Sequence, residues 1–171
     1  PDWRGYLASN ESFMFANLGG MKMSGRRLAD MGIDFEETPA NPVLQDFDND
    51  GRLDVFHQSM YHRANLYAWR DRAWTDRTSS AGIRAGRSLA DAACDFDHDG
   101  RVDLAVADDE GGLVLYRNVS PRREWTELRL VGSHCNHDAV GAVVRIKVGG
   151  QTMTRLVSAG RGMACQDGLT V

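Results

Sequence analysis

The sequence predicts an all-β fold: a partial β-propeller, two to three blades of four-stranded antiparallel sheet, followed by a small β-sandwich-like module. Three observations carry this expectation. An aspartate-rich motif, "DFDNDGRLDVF" from Asp46, returns as "DFDHDGRVDLAV" from Asp95, 49 residues later. A period near 50 residues is that of propeller blades built from short strands. No stretch keeps a helical hydrophobic period over several turns.

The elements follow in order. "FMFAN" (Phe13 to Asn17), "NLYAW" (Asn65 to Trp69) and "LVLYRN" (Leu113 to Asn118) are matching apolar runs, and Tyr67 and Tyr116 are again 49 apart. "LADMGI" (Leu28 to Ile33) echoes "TDRTSSAGI" (Thr75 to Ile83), each leading from an acidic residue into Gly-Ile. "RLDVFHQ" and "RVDLAVA" bring apolar and β-branched residues directly after each aspartate motif, as strands do. The first 120 residues therefore hold one full repeat between the motifs and partial units on both sides. The repeats stop near Ser120-Pro121, which places a domain boundary there: 1–120 repeats, 121–171 a second β module. In that tail "WTELRLVG" alternates Leu128 and Leu130 with polar neighbours. Val140, Ala142, Val144, Ile146 and Val148 then alternate down one strand. Gly149-Gly150 turn the chain, and Met153, Arg155 and Val157 alternate back.

Composition narrows the function classes. With 42% hydrophobic and 26% charged residues in 171, the chain is an ordinary globular one with a modest core. A net charge of -4, with 18 arginines scattered rather than clustered, gives no footprint for nucleic acid. No apolar run approaches the roughly 18 residues of a membrane helix, so the chain is not expected to be transmembrane itself. It opens on "PDWRGYLAS", without an initiator methionine or a leader, and reads as the interior of something longer.

The chemistry sits in the two motifs. Each has the form D-x-D-x-D-G-x-x-D. Calcium takes six to eight hard oxygen ligands, and in loops of this kind positions 1, 3 and 5 supply side-chain oxygens and position 7 a backbone carbonyl. The first loop offers Asp46, Asp48, Asp50, the Arg52 carbonyl and Asp54. The second offers Asp95, Asp97, Asp99, the Arg101 carbonyl and Asp103. Gly51 and Gly100 permit the sharp turn. Two Ca2+ sites are expected. Phe47 and Phe96, at position 2, are expected to point into the core. A solvated acidic turn would not repeat the glycine and the ninth aspartate at one period. An EF-hand would need Glu at position 12, where His57 and Val106 stand, and helices on both sides.

These motifs, followed by "LYRN", resemble the VCBS/FG-GAP repeats of calcium-binding β-propellers, a type also seen in integrin α chains. The tail resembles the ASPIC/UnbV module that commonly follows such repeats in bacterial secreted proteins and in a cartilage acidic protein. "NHDAVGA" (Asn136 to Ala142) matches that module's Asn-Arg-Asp-Gly-Ile-Gly-Ala-like stretch, and "SAGRGMACQD" (Ser158 to Asp167) its glycine-rich stretch. The resemblance departs at two points. The module ordinarily ends in a Phe-Gly-Leu-Gly-like strand, and the sequence stops at Val171 before it. Closed propellers have about four to eight blades, more than this chain holds. Open blade faces would then be covered by further chain or by a partner protein.

Other residues carry blander readings. His134, Cys135, His137 and Asp138 come together as in a zinc site, but no second cluster stands at finger spacing, and a polar turn accounts for them. Cys135 and Cys165 could pair in an oxidising compartment; the sequence leaves this open. Cys94 reads as a buried core thiol. "GRGMACQDG" lacks the Lys-Ser/Thr of a phosphate loop. Asn10 and Asn118 fit the N-glycosylation pattern. His57 and His62 have no nucleophile to act on. Trp3, Trp69, Trp74 and Trp125 read as blade packing rather than a sugar platform.

The function expected from all this is a calcium-stabilised, non-catalytic interaction or scaffold protein outside the cytoplasm (periplasmic, secreted or cell-surface) with a protein partner. One alternative is a docked accessory subunit, peripheral to a larger and perhaps membrane-bound complex, whose partner covers the open blade faces. Another is a carbohydrate-binding or carbohydrate-active propeller, for which no uncommitted carboxylate pair stands out.

Overall fold

A computed structural model describes residues 13–33, 42–59, 62–84, 86–108, 111–134, 136–160 and 165–171. Among these residues the regular structure is strand, with one short 3-10 turn at Ala29–Met31 and no α-helix. The strands are β1 (Phe13–Asn17), β2 (Met23–Arg27), β3 (Val43–Gln45), β4 (Asp54–His57), β5 (Asn65–Arg70), β6 (Ala73–Asp76), β7 (Ser88–Cys94), β8 (Asp103–Asp108), β9 (Leu113–Tyr116), β10 (Val143–Val148) and β11 (Gln151–Leu156). All-β architecture is thus observed, as several small antiparallel sheets with no closed barrel.

The sheets follow the repeat. β3-β4-β5-β6 form a complete four-stranded meander, β7-β8-β9 its three-stranded successor, and β1-β2 a hairpin before it. Each aspartate loop is the connection between the first two strands of its sheet: loop one joins β3 to β4, loop two β7 to β8. Val55 pairs with Tyr67 in one sheet, and Leu104 with Tyr116 in the next, so the 49-residue shift carries register as well as sequence.

Strand alternation sends neighbouring side chains to opposite faces. Val55 and Tyr67 face back toward the β1-β2 hairpin, in a cluster with Ile33 and Trp74 that Met14, Leu28 and Met31 cover. Phe56 faces forward. It meets Leu104 and Val106 of the next sheet, with Val43, Ala64 and Ala93, and Phe47, Leu66 and Tyr116 close the cluster. The core is therefore two face-to-face layers between three consecutive sheets, as in stacked blades. Trp69 and Trp74 pack edge-on at 5.0 Å in the first layer.

Three expectations need correction. Cys94 is exposed, not a core thiol, because it ends β7 at the loop edge. Phe47 packs into the forward cluster, but Phe96, its counterpart 49 residues on, is 46% exposed. No further sheet among the described residues stacks on the outer face of β7-β8-β9, which also exposes Leu113 and Leu115. Finally, "WTELRLVG" forms no strand; Leu128 only exchanges a pair of backbone hydrogen bonds with Val171.

The tail's sheet is the hairpin β10-β11, in the expected register with Val148 opposite Gln151 and Gly149-Gly150 in the turn. One of its faces, with Val144, Ile146, Met153 and Arg155, is half-buried. That face carries residues that reach the first aspartate loop. Of the other tail expectations, Cys135 lies outside the described residues, as do Asn10 and Trp3, so a Cys135–Cys165 pairing is not addressed; Cys165 itself is buried.

Candidate metal centre

The two loops fold alike because each wraps around its first aspartate. Asp46 accepts the Asp50 amide at 3.0 Å on Oδ1 and the Gly51 amide at 2.8 Å on Oδ2. Asp95 accepts the Asp99 and Gly100 amides at 3.1 and 2.7 Å on the same two atoms. Position 5 then accepts from position 7, Arg52 N to Asp50 at 2.9 Å and Arg101 N to Asp99 at 3.1 Å. These short-range bonds bend six residues into a turn and leave the odd-numbered carboxylates converging. Gly51 and Gly100 have φ of 88° and 85°, a region that side chains with a Cβ avoid.

The convergence is tight. One oxygen from each of Asp46, Asp48 and Asp50 lies within 4.8 Å of the others, and the same holds for Asp95, Asp97 and Asp99. Arg52 and Arg101 sit at the seventh position of each turn. The ninth aspartates are not among these groups of three and accept backbone amides. Asp54 accepts the amides of Phe47 at 3.1 Å and Trp69 at 3.3 Å, one per oxygen. Asp103 accepts those of Phe96 at 3.1 Å and Asn118 at 2.7 Å. Asp54 ties the start of its loop to β5, and Asp103 ties the start of its loop to the segment just after β9.

Arginines answer the carboxylates. Arg70, at the end of β5, binds Asp48 and reaches Asp50 at 3.0 Å. Arg117, just after β9, bonds Asp97 at 2.5 Å and reaches Asp99 at 3.3 Å, while Arg101 pairs with Asp99. From the tail, Arg155 lies 3.3 Å from Asp46. Met153 covers Gly51, and the Trp125 indole lies directly over Gly100. The tail is thus seated on the loop edge of both sheets, and Asp167 accepts the Ala93 amide at 2.8 Å beside the second loop.

Electrostatics separate the carboxylates. Burial raises the Asp46 pKa, against the Gly51 and Asp50 amides. Burial, with the neighbouring charge of Asp48, pushes Asp54 up to about 7. Asp103 is likewise raised by burial. Asp99 is lowered by its hydrogen bond from Arg101. Burial therefore disfavours the ionised form of Asp46, Asp54 and Asp103, and a cation beside them would favour it again.

The residues fit a hard cation. Every donor in each triad is oxygen, the set that suits calcium or magnesium rather than zinc or copper. Each carboxylate oxygen that accepts an amide keeps a second lone pair. Asp48 Oδ1 is buried and has no hydrogen-bond partner, an acceptor left over by the fold.

A family model described as an FG-GAP-like repeat matches residues 46–106, from the first aspartate of loop one into β8. The small antiparallel sheets stacked along this segment are consistent with propeller-like FG-GAP repeats. No curated protein matches the chain.

Sequence reasoning missed Arg70, Arg117, Arg155 and Asn118. Asn118 Nδ2 donates to the carbonyls of Phe47 at 2.7 Å and Val102 at 3.0 Å, so its amide staples the two sheets together. Its place in a glycosylation pattern is misleading, because the nitrogen that would carry a glycan already uses both hydrogens. The only signal was its place at the end of "LYRN". His134 and His137 are exposed on a turn, where the His137 ring lies 3.2 Å from its neighbour Asp138.

Proposed function

We propose that this chain is a calcium-stabilised, non-catalytic interaction module in which each aspartate loop holds one Ca2+. The observation that carries the reading is the pair of carboxylate triads, each closed within 4.8 Å, at the same place in successive sheets of one repeat. Asp46, Asp48, Asp50 and the Arg52 carbonyl would hold one ion; Asp95, Asp97, Asp99 and the Arg101 carbonyl the other. Asp54 and Asp103 shape each loop from behind through their paired amides. Bound calcium supplies positive charge that offsets the carboxylate repulsion. The remaining work is the chain's own: the loops join the first two strands of each sheet, and ordering them fixes the sheet edges.

The setting of this reading is extracytoplasmic, where calcium near 10⁻⁴–10⁻³ M (about the affinity of extracellular modules) fills such loops. No helix among the described residues is long and apolar enough to cross a membrane. We assign the tail to an ASPIC/UnbV-like module on its sequence stretches. Calorimetric melts with Ca2+ and with EDTA test the core of the proposal. Removing calcium should lower Tm by several degrees; an unchanged melt sinks it.

A second reading is favoured by the apolar face of β7-β8-β9, where Phe96, Leu113 and Leu115 are each about half or more exposed. Patches of this kind mark interaction sites. The chain would then be a docked subunit. Sedimentation of the isolated chain is expected to show self-association that Leu115→Lys abolishes; a clean monomer at all concentrations argues against an adhesive face.

A further inference from the structure

The geometry points to cooperative cation binding by the two aspartate loops, with Asn49 as the residue that couples them. This rests on the reading of both loops as cation sites. Asn49 stands between Asp48 and Asp50. Its Nδ2 donates at 2.7 Å to the carbonyl of Gly100, in the other loop and the other sheet. Gly100 stands between Asp99 and Arg101. One half-buried hydrogen bond therefore joins the ligand-bearing stretch of loop one to that of loop two.

The link has a direction. Asn49 and His98 hold the same position and the same left-handed backbone, φ 53° and 57°. The asparagine side chain can turn back on a neighbouring carbonyl, and it does so only from loop one toward loop two. A second set of bonds fastens the feet of the loops: Asn118 to the Phe47 and Val102 carbonyls, and Ser120 Oγ to Phe47 at 3.4 Å. These lie outside the ligand positions and hold the two sheets in place. Among the described residues the counter-charges do not link the loops: Arg70 serves the first and Arg117 the second.

The physical consequence follows from ordering. A loop of like charges is costly to hold in one conformation. With a cation in loop two, the Gly100 peptide is fixed between two ligand positions. Its carbonyl then fixes the Asn49 amide, and with it the backbone between Asp48 and Asp50. The second ion meets a loop already partly ordered, so it binds more tightly. Linkage makes the effect reciprocal.

Calcium titration calorimetry on the full chain tests this with a cycle of variants. Asp97→Ala leaves only loop one, and Asp48→Ala leaves only loop two. Asp97 is exposed and Asp48 half-buried, and each protein is also made with Asn49→Gly, which keeps the left-handed backbone and removes the amide. The product of the two association constants in the unmodified chain should exceed the product from the single-loop variants by about five-fold or more. In the Asn49→Gly set that ratio should fall to within about two-fold of unity. A ratio of one in the unmodified chain overturns the coupling while leaving two cation sites standing. A ratio that survives Asn49→Gly overturns the role of Asn49. No heat from calcium in any protein overturns the cation sites and the coupling together.

Discussion

His57 ends β4 with 7% of its surface exposed, and burial lowers its pKa from 6.5 to about 4. The folded chain therefore binds fewer protons than the unfolded chain between those values. Its contribution to stability is present above about 6.5 and is lost as the pH falls through 4, up to about 3 kcal/mol in full. Asp54 works the other way. Its raised value makes the folded chain hold a proton that the unfolded chain releases, so stability falls as pH rises from about 4 to 7. The two windows overlap, and the useful quantity is a difference. Urea melts of the metal-free chain and of His57→Gln, taken from pH 7 to 4, should converge on acidification, with the variant losing less stability. Parallel curves would remove His57 from the acid response. The same scale explains which site residues were readable. Asp46, Asp48 and Asp50 announce themselves because a turn needs only neighbouring residues. Arg70 and Arg155 contact the same loop from other strands, and nothing in their local sequence says so.

Among elements, the informative contact is between the tail and the loops. A Cβ on Gly100 would come within 2.2 Å of the Trp125 indole nitrogen, whereas one on Gly51 would come within 3.1 Å of the flexible Met153 sulfur. Both glycines have left-handed backbones, so alanine costs about 1–2 kcal/mol at either position. Gly100→Ala must also displace Trp125. It should cost at least about 1 kcal/mol more than Gly51→Ala, and this excess should vanish in a Trp125→Ala background. Equilibrium denaturation of both glycine variants and their parents, with and without Trp125, reads the outcome; an excess that persists without Trp125 would mean the indole does not seat on the loop. The β10-β11 hairpin was legible from its alternation and Gly-Gly turn. Its docking was not, because half-buried Met153 and Arg155 look like any outward pair on a hairpin. "WTELRLVG" failed as a strand because, among the described residues, its strand-like pairing stops at the Leu128–Val171 backbone bonds, and alternation alone does not supply the hydrogen bonds a strand needs.

For the whole molecule, stacking decides what each repeat position is worth. Phe47 and Phe96 occupy the same place in the two loops. Phe47 is covered by the next sheet, while Phe96 is half exposed. Phe47→Ala should cost about 2–3 kcal/mol and Phe96→Ala less than about 1, in this chain, by thermal or urea denaturation. Equal costs would mean that the outer face of β7-β8-β9 is covered in solution, which would itself favour the docked reading. Cys94 teaches the same lesson: an apolar run places it on a strand, but only the stack of sheets determines whether that strand end is inside.

The amino-acid sequence alone determined the all-β character, the 49-residue repeat, the two turns and their converging carboxylates. All of these depend on interactions within a few residues or on a period copied along the chain. Tertiary structure decided which faces are buried, that the tail rests on both loops, and that Asn49 and Asn118 join one sheet to the next. Those outcomes rest on contacts between residues well separated along the chain, such as Asn49 with Gly100 and Asn118 with Phe47, whose partners are set by how sheets stack and not by any local pattern of side chains.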